Sequence, residues 1–184
     1  MKMIRILLLF IAAVAIPVQS FAAEDYYETV GQWDSYLDVA NWLQHNFTFD
    51  KGRLDTIQRR LKSQGPAGLL VKAPEKLFAG SKGYCGDSAN FALQALNEID
   101  FDYNARWVFI KNSVGRPNHW VTAFDFEGKL YIMDYGSGEK WKAMQGVHGP
   151  YDSLSQYQDF LEGLRMPGFG VAEVRYRNMP GAED

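Results

Sequence analysis

The chain has few cysteines and histidines, the residues that bind zinc in structural sites and, for cysteine, form disulfides. Its 184 residues include one cysteine, Cys85, and three histidines. A lone cysteine excludes an internal disulfide, and three scattered histidines with one cysteine do not make a structural zinc pattern, so we predict no metal site. The single thiol is then either a small buried residue or a nucleophile retained for chemistry.

Positive charge is also scarce. The chain has 19 Lys and Arg against 22 Asp and Glu, a net charge of −3, and basic residues never form a run. This balance argues against nucleic acid or an anionic membrane surface as the main partner, and we predict that no nucleic acid binds. The length suits one compact domain, and an aromatic content of 15% is enough to fill a single core.

No apolar run is long enough to cross a bilayer. The longest charge-free apolar stretch, residues 6–16, follows Lys2 and Arg5 and precedes Ser20-Phe21-Ala22. This order is typical of a secretory signal peptide, so we predict a signal peptide over residues 1–22 that is cleaved after Ala22. Cleavage would leave one domain, residues 23–184, with a net charge of −5. We therefore predict a periplasmic or secreted protein with no stable membrane insertion.

Apolar residues recur at helical spacing in the first half of the chain. The spacing predicts a helix from about Trp33 to Asn46, a second from Arg53 to Gln64 and a short one from Pro74 that ends at Gly80.

A further apolar stripe places Cys85 at or just before the N-terminus of a helix. The stripe consists of Ala89, Ala92, Leu93, Leu96 and Ile99. Unpaired N–H groups and the positive end of the helix dipole favour the thiolate form of a cysteine at such a position. Asp87 in the first turn suits the role of capping acceptor.

Extended segments dominate the second half of the chain. Four strands are predicted, and they cover Ala105–Ile110, His119–Phe126, Lys129–Tyr135 and Val171–Arg177. Glu127-Gly128 joins the middle two as a hairpin. Pro150–Leu164 is predicted to form another helix. The predicted helices thus precede most of the predicted strands, and we expect the helix that carries Cys85 to pack on the sheet.

The hairpin brings a histidine and a carboxylate together. If its turn has two or four residues, His119 and Asp134 lie on the same face of the sheet, directly opposite or one step diagonal. Val121 and Ala123 continue that face, and we expect the helix that begins at Cys85 to pack on it.

A thiol, an imidazole and a carboxylate are together sufficient for covalent acyl transfer. His119 would take the proton of Cys85, Asp134 would orient the ring, and the sulfur would attack an amide or ester carbonyl. The backbone N–H of Cys85 is the expected first oxyanion donor. Tyr84 and Trp120 flank these residues and are candidates for a substrate groove.

Other residues compete for some of these roles. Asp125 shares the face of His119 but lies near the turn, and His148 lies between glycines, which favour a loop. Asn118 precedes His119, but adjacent residues on a strand point to opposite faces. A second oxyanion donor could come from Trp42 or Gln44 in the first predicted helix.

The motif residues resemble those of the transglutaminase-like superfamily of cysteine acyltransferases and peptidases. The matching residues are Gly83-x-Cys85-x-Asp87-x-Ala89 opening a helix, Ala105-Arg106, His119-Trp120-Val121, Asp134 after the Glu127-Gly128 turn, and the lead-in Ala73-Pro74-Glu75-Lys76-Leu77. The similarity covers about a third of the chain, from Pro74 to Tyr135. It implies an α+β fold with a papain-like core, in which N-terminal helices accompany a Cys-bearing helix packed on an antiparallel sheet, a Cys-His-Asp triad and chemistry on a protein or peptide amide.

One branch of exported bacterial peptidases in this superfamily is calcium-dependent and carries further acidic residues beside its cysteine. Here Gly86 follows Cys85, so the residues beside the cysteine do not support calcium, and we predict no cofactor.

The sequence therefore predicts an exported cysteine peptidase or amide acyltransferase that acts on a protein or peptide in the cell envelope, most simply by hydrolysis. The alternative is a noncatalytic peptide-binding or assembly factor with the same fold. A third possibility is a transacylase that uses a small thioester or arylamine.

Overall fold

The structure, a computed structural model, describes residues 18–183. Six α-helices occur in this part of the chain: α1 (Val18–Val30), α2 (Tyr36–Asn46), α3 (Lys51–Gln64), α4 (Pro74–Gly80), α5 (Cys85–Ile99) and α6 (Leu154–Gly163). None of the described helices is both long and apolar enough to cross a membrane. Residues 1–17 of the predicted signal peptide lie outside the described residues. Its last five residues, 18–22, form the start of α1.

Nine strands complete the same part of the chain: β1 (Thr48–Phe49), β2 (Val71–Lys72), β3 (Lys82–Gly83), β4 (Arg106–Asn112), β5 (His119–Phe126), β6 (Lys129–Asp134), β7 (Gly146–Tyr151), β8 (Val171–Tyr176) and β9 (Ala182–Glu183). Five of them form an antiparallel sheet in the order β7-β6-β5-β4-β8. The two-residue strands pair in parallel, β1 with β3 and β2 with β9. Helices combined with an antiparallel sheet confirm the predicted α+β class.

The ends of two predicted helices need correction. The first begins at Tyr36 instead of Trp33, because Ser35 is extended and its N–H donates to the Asp38 carboxylate at 3.0 Å, which caps the helix. The last begins at Leu154. Pro150 belongs to β7, which the sequence analysis missed. Since β7 is at the edge of the sheet, a proline there removes no central ladder hydrogen bond.

The hairpin between β5 and β6 forms as predicted. Phe126 pairs with Lys129, so the turn has two residues, and Glu127 and Gly128 both have positive φ, 51° and 73°. This is the turn geometry that matches the twist of a two-residue hairpin, and it fixes the register of the two strands.

Helix α5 packs on one face of the sheet and α6 on the other. Ala92 and Leu96 of α5 share a buried cluster with Phe124, and the Thr122 hydroxyl donates to the Ala89 carbonyl at 2.6 Å. The other face of the sheet carries the odd-numbered residues of β5 and packs against α6. The cluster on this face includes Val121, Ala123, Tyr157 and Leu161.

The expectation that α5 packs on the face of Val121 and Ala123 is therefore wrong. Residues 119–124 of β5 are all buried, so both faces of the strand are apolar and alternation alone could not identify the side that α5 covers. A third buried cluster lies between α3 and the sheet and includes Ile57, Cys85 and Trp120. This cluster places α3 beside the start of α5.

Candidate active site

Cys85 is the first residue of α5. Tyr84 before it is extended, with φ −107° and ψ −177°, and its backbone N–H donates to the Asp87 carboxylate at 3.0 Å. The carboxylate thereby caps the helix start, so the chain turns into a helix at Cys85. The predicted position of Cys85 at a helix N-terminus is confirmed, and so is the capping role of Asp87.

Asp87 also joins the start of α5 to its surroundings. Its side chain is fully buried and forms a two-point ion pair with Arg53 of α3, in which Nη2 donates to Oδ1 at 3.0 Å and Nε donates to Oδ2. The Lys72 backbone N–H donates to Oδ1 at 2.7 Å. The sequence analysis missed this ion pair, because Arg53 lies 34 residues before Asp87 and carries no local signal.

His119 and Asp134 lie side by side at one end of the sheet. Nε2 of His119 donates to Oδ2 of Asp134 at 2.7 Å, and both residues are buried. Thr122 pairs with Met133, and continuing this register puts Asp134 opposite Val121, one diagonal step from His119. The prediction that the two side chains share a face within hydrogen-bonding distance is confirmed.

Cys85 lies close enough to the ring of His119 to act on its pKa. Because Nε2 is bound to Asp134, Nδ1 is the nitrogen left for the sulfur. Burial acts to lower the pKa of His119, but the charge and hydrogen bond of Asp134, together with the hydrogen bond and charge of Cys85, outweigh it and raise the pKa to about 10. His119 is therefore favoured as imidazolium at neutral pH.

Gly136 holds the carboxylate and lies against the cysteine. Its N–H donates to Oδ1 of Asp134 at 3.0 Å, so both oxygens of Asp134 are hydrogen-bonded. A Cβ at position 136 would overlap the Cα of Cys85. Only glycine permits this close approach of the loop after β6 to the start of α5.

Two cavities lie beside the cysteine. The smaller, about 220 Å³, is lined by Cys85 together with Tyr84 and Trp120, both of which are buried. The larger, about 980 Å³, does not include Cys85 but is lined by Tyr135 and Trp141. The groove role of Tyr84 and Trp120 stays a prediction, although both side chains face a cavity that contains the thiol.

The competing residues have other partners. His148 Nε2 donates to the Met144 carbonyl at 2.7 Å, and Asp125 accepts from Arg106 at 2.7 Å. The Asn118 side chain accepts from the backbone of Asn112 at 3.1 Å. None of these contacts involves Cys85.

The two candidates for a second oxyanion donor differ in their surroundings. Trp42 is stacked on Phe91 in the core, with ring centroids 4.3 Å apart. Gln44 is exposed and lines the larger cavity.

The residues around Cys85 do not fit a calcium ion. Calcium takes about six to eight oxygen ligands. Both oxygens of Asp87 are bound to Arg53 and backbone N–H groups, and a Cβ at Gly86 would overlap the Tyr84 ring, which leaves no room for an acidic side chain. Within the described residues, no group of three or more His, Cys, Asp and Glu could hold a metal ion.

Comparisons with known proteins identify the family. A search of curated proteins finds no match. Among solved structures, Legionella pneumophila LapG (EGTA-treated) matches with 14% identity and a TM-score of 0.40, over 64% of this chain and 68% of that chain. A family model described as a transglutaminase-like domain matches residues 22–139, more than half of the chain. The chain therefore belongs to the transglutaminase-like domain family.

Proposed function

We propose that the protein hydrolyses peptide amides with Cys85 as nucleophile, His119 as acid and base, and Asp134 as the group that orients the ring. The observation that carries the proposal is the buried hydrogen bond between His119 and Asp134, next to Cys85 and to a cavity that Cys85 lines. Family membership supports a cysteine-protease type of function.

The first half of the reaction forms a thioester. The Cys85 thiolate attacks the carbonyl carbon of the scissile amide, and the C=O π pair moves to oxygen. The N–H of Cys85, which has no acceptor within its own helix, is suited to stabilise that oxyanion. The tetrahedral intermediate collapses, the C–N bond breaks, and the His119 imidazolium gives its proton to the leaving amine.

The second half of the reaction restores the enzyme. Neutral His119 removes a proton from water, and the resulting hydroxide attacks the thioester carbonyl. The C–S bond breaks, the acid product leaves, and the sulfur departs as thiolate beside the imidazolium. Asp134 keeps its charge throughout, and because Gly136 fixes its other oxygen, the ring stays in one orientation.

The proposal extends to location and cofactor use. The pattern of residues 1–22 supports export, so the substrate would be a protein or peptide of the cell envelope, in the periplasm or outside the cell. The proposed chemistry uses no calcium, because Asp87, the acidic residue nearest to Cys85 in the sequence, is already neutralised by Arg53.

Alkylation of the thiol tests the nucleophile directly. Because Cys85 is the only cysteine, iodoacetamide should add once, as read by intact mass. His119→Ala should slow the reaction at pH 6.5 by about tenfold or more, since the imidazolium no longer stabilises the thiolate. His45→Ala is the matched control, because His45 is exposed on α2 and should leave the rate unchanged. Mass spectrometry of Cys85 after brief incubation with envelope peptides should then reveal the acyl donor.

A noncatalytic peptide-binding factor is the second candidate. The 5% exposure of Cys85 favours it, since a buried thiol can be structural. Slow alkylation that His119→Ala does not change, with no acyl adduct, would select this function over hydrolysis.

A further inference from the structure

The two cavities, together called the groove, are adjacent to each other. Leu54 and Pro117 line both of them. The smaller arm contains Cys85. The larger arm reaches Tyr135, the residue after Asp134. An extended peptide bound along this groove would therefore have residues on both sides of the thiol.

The rim of this groove is basic, although the chain as a whole is acidic. Arg116 and Arg177 line the smaller arm, and no Asp or Glu lines it. The larger arm has three lysines and one acidic residue: Lys51, Lys140, Lys142 and Glu139. Five positive charges thus face one negative charge, in a chain with a net charge of −3.

Three of these positive charges have no ion pair within residues 18–183. Lys51 pairs with Asp55 at 2.8 Å, and Lys142 lies 3.9 Å from Glu139. Within the described part of the chain, the structure shows no ion pair for the other three basic residues, Arg116, Lys140 and Arg177.

Aromatic rings hold two of these unpaired cations in place. The Arg177 guanidinium lies over Phe109 at 4.9 Å, and the Lys140 ammonium lies over Trp141 at 5.7 Å. Such contacts orient a cation without cancelling its charge.

A buried hydroxyl in the larger arm is also without a partner. Ser137 is 6% exposed, and its Oγ has no hydrogen-bond partner in the structure. A buried hydroxyl is costly unless a partner satisfies it. If the Ser137 side chain turns toward the larger arm, a peptide N–H or C=O bound there would supply that partner.

We propose that the groove selects an acidic peptide. The proposal rests on the proposed function and names the substrate class. The occupant is an extended segment of a partner protein with apolar residues next to the scissile amide and Asp or Glu on both flanks. Apolar side chains would contact Leu54, Phe109 and Trp141. The flanking carboxylates would meet Arg116 and Arg177 on one side and Lys140 on the other.

Equilibrium binding to the Cys85→Ala protein tests this preference without requiring hydrolysis. The probes are three peptides with the same apolar centre, blocked termini and a neutral dye, and with Glu, Gln or Lys at the flanks. Each exposed charge pair contributes about threefold to fivefold in affinity, so the Glu peptide should bind about tenfold tighter than the Gln peptide. The Lys peptide should bind weakest. The advantage of the Glu peptide should shrink at high salt.

Substitutions locate the effect in the groove. Arg116→Gln with Arg177→Gln should remove most of the preference for Glu, whereas Arg59→Gln, the same change at an exposed residue outside the groove, should not. Ser137→Ala should lower the binding affinity for all three peptides by a similar factor. Equal binding of the three peptides would overturn the proposal, as would equally strong competition by a short oligothymidylate. Acidic preference in binding with no acyl adduct on wild-type Cys85 would refute the hydrolysis and leave the substrate class standing.

Discussion

At the residue scale, both oxygens of the Asp134 carboxylate have an identified partner. One oxygen accepts from His119 and the other from Gly136, so the carboxylate cannot rotate without losing a buried hydrogen bond. The other ring nitrogen of His119 is left for the sulfur of Cys85. The carboxylate therefore holds one geometry, because a broken bond would leave a buried group unpaired.

The raised pKa of His119 predicts how stability depends on pH. The pKa rises from 6.5 to about 10 in the folded protein, so the folded state binds the proton more tightly than the unfolded state. The stabilisation is complete below pH 6.5 and is lost as the pH rises to about 10. Relative to His119→Gln, the wild-type free energy of unfolding should therefore fall over this range, by at most about 1.4 kcal/mol per pH unit.

Urea unfolding at several pH values measures this difference. Repeating the series with Cys85→Ala in both proteins removes the titration of the thiol from the comparison. A difference that stays constant from pH 6.5 to 10 would mean that His119 is neutral in the folded protein, which contradicts the imidazolium assignment.

The sequence could predict the three central residues but not the ones that position them. Cys85, His119 and Asp134 each lie in a local pattern, either a helix start or an alternating strand. Arg53 and Gly136 act through contacts between segments that no local pattern pairs. Only the folded chain shows that Arg53 neutralises Asp87 and that position 136 has no room for a side chain.

At the element scale, the start of α5 depends on its ion pair with α3. Arg53→Met would leave the fully buried Asp87 with its backbone donors but without its counter-charge. Removing one partner of a buried ion pair is strongly destabilising, because the other charge stays buried. The free energy of unfolding should therefore drop by about 3 kcal/mol in urea titrations. Arg59→Met, also on α3 but exposed, should change it by less than about 0.5 kcal/mol.

Melting of the wild-type protein tests whether calcium contributes at this point. If Arg53 supplies the positive charge that Asp87 needs, neither EGTA nor added calcium should shift the melting temperature. A clear loss of stability with EGTA would show that calcium binds the protein. Unfolding of Arg53→Met at the wild-type urea concentration would show that the ion pair is not what stabilises the helix start.

At this scale, a strand or helix could be predicted from the sequence where a local run of residues or a turn determined it. The β5–β6 hairpin follows from two extended runs and a turn that ends in Gly128. The side of the sheet that α5 covers does not follow, because β5 is buried on both faces. Strand β7 was missed since two of its residues are glycine and one is Pro150, which strand patterns disfavour.

At the scale of the whole molecule, the site lies where two layers meet. His119 and Asp134 belong to the face of the sheet that packs against α6, whereas α5 packs on the opposite face. The sheet and α5 meet at the end of the sheet where β5 begins and β6 ends. The position of one layer relative to the other therefore determines whether the sulfur contacts the imidazole.

Gly136 lies where the loop after β6 comes close to the start of α5, and it allows the arrangement to be tested. In Gly136→Ala the new Cβ would overlap the Cα of Cys85, so the loop or the helix start must move. Because a displacement of about 1 Å can cost about a hundredfold in rate, alkylation of Cys85 and peptide hydrolysis should both fall by about tenfold to a hundredfold. Gly80→Ala is the matched control, since a Cβ there meets no atom within 4 Å. Iodoacetamide kinetics below the melting temperature of each variant separate misplacement from unfolding. If Gly136→Ala and Gly80→Ala react at the same rate, the spacing between the layers does not control the thiol.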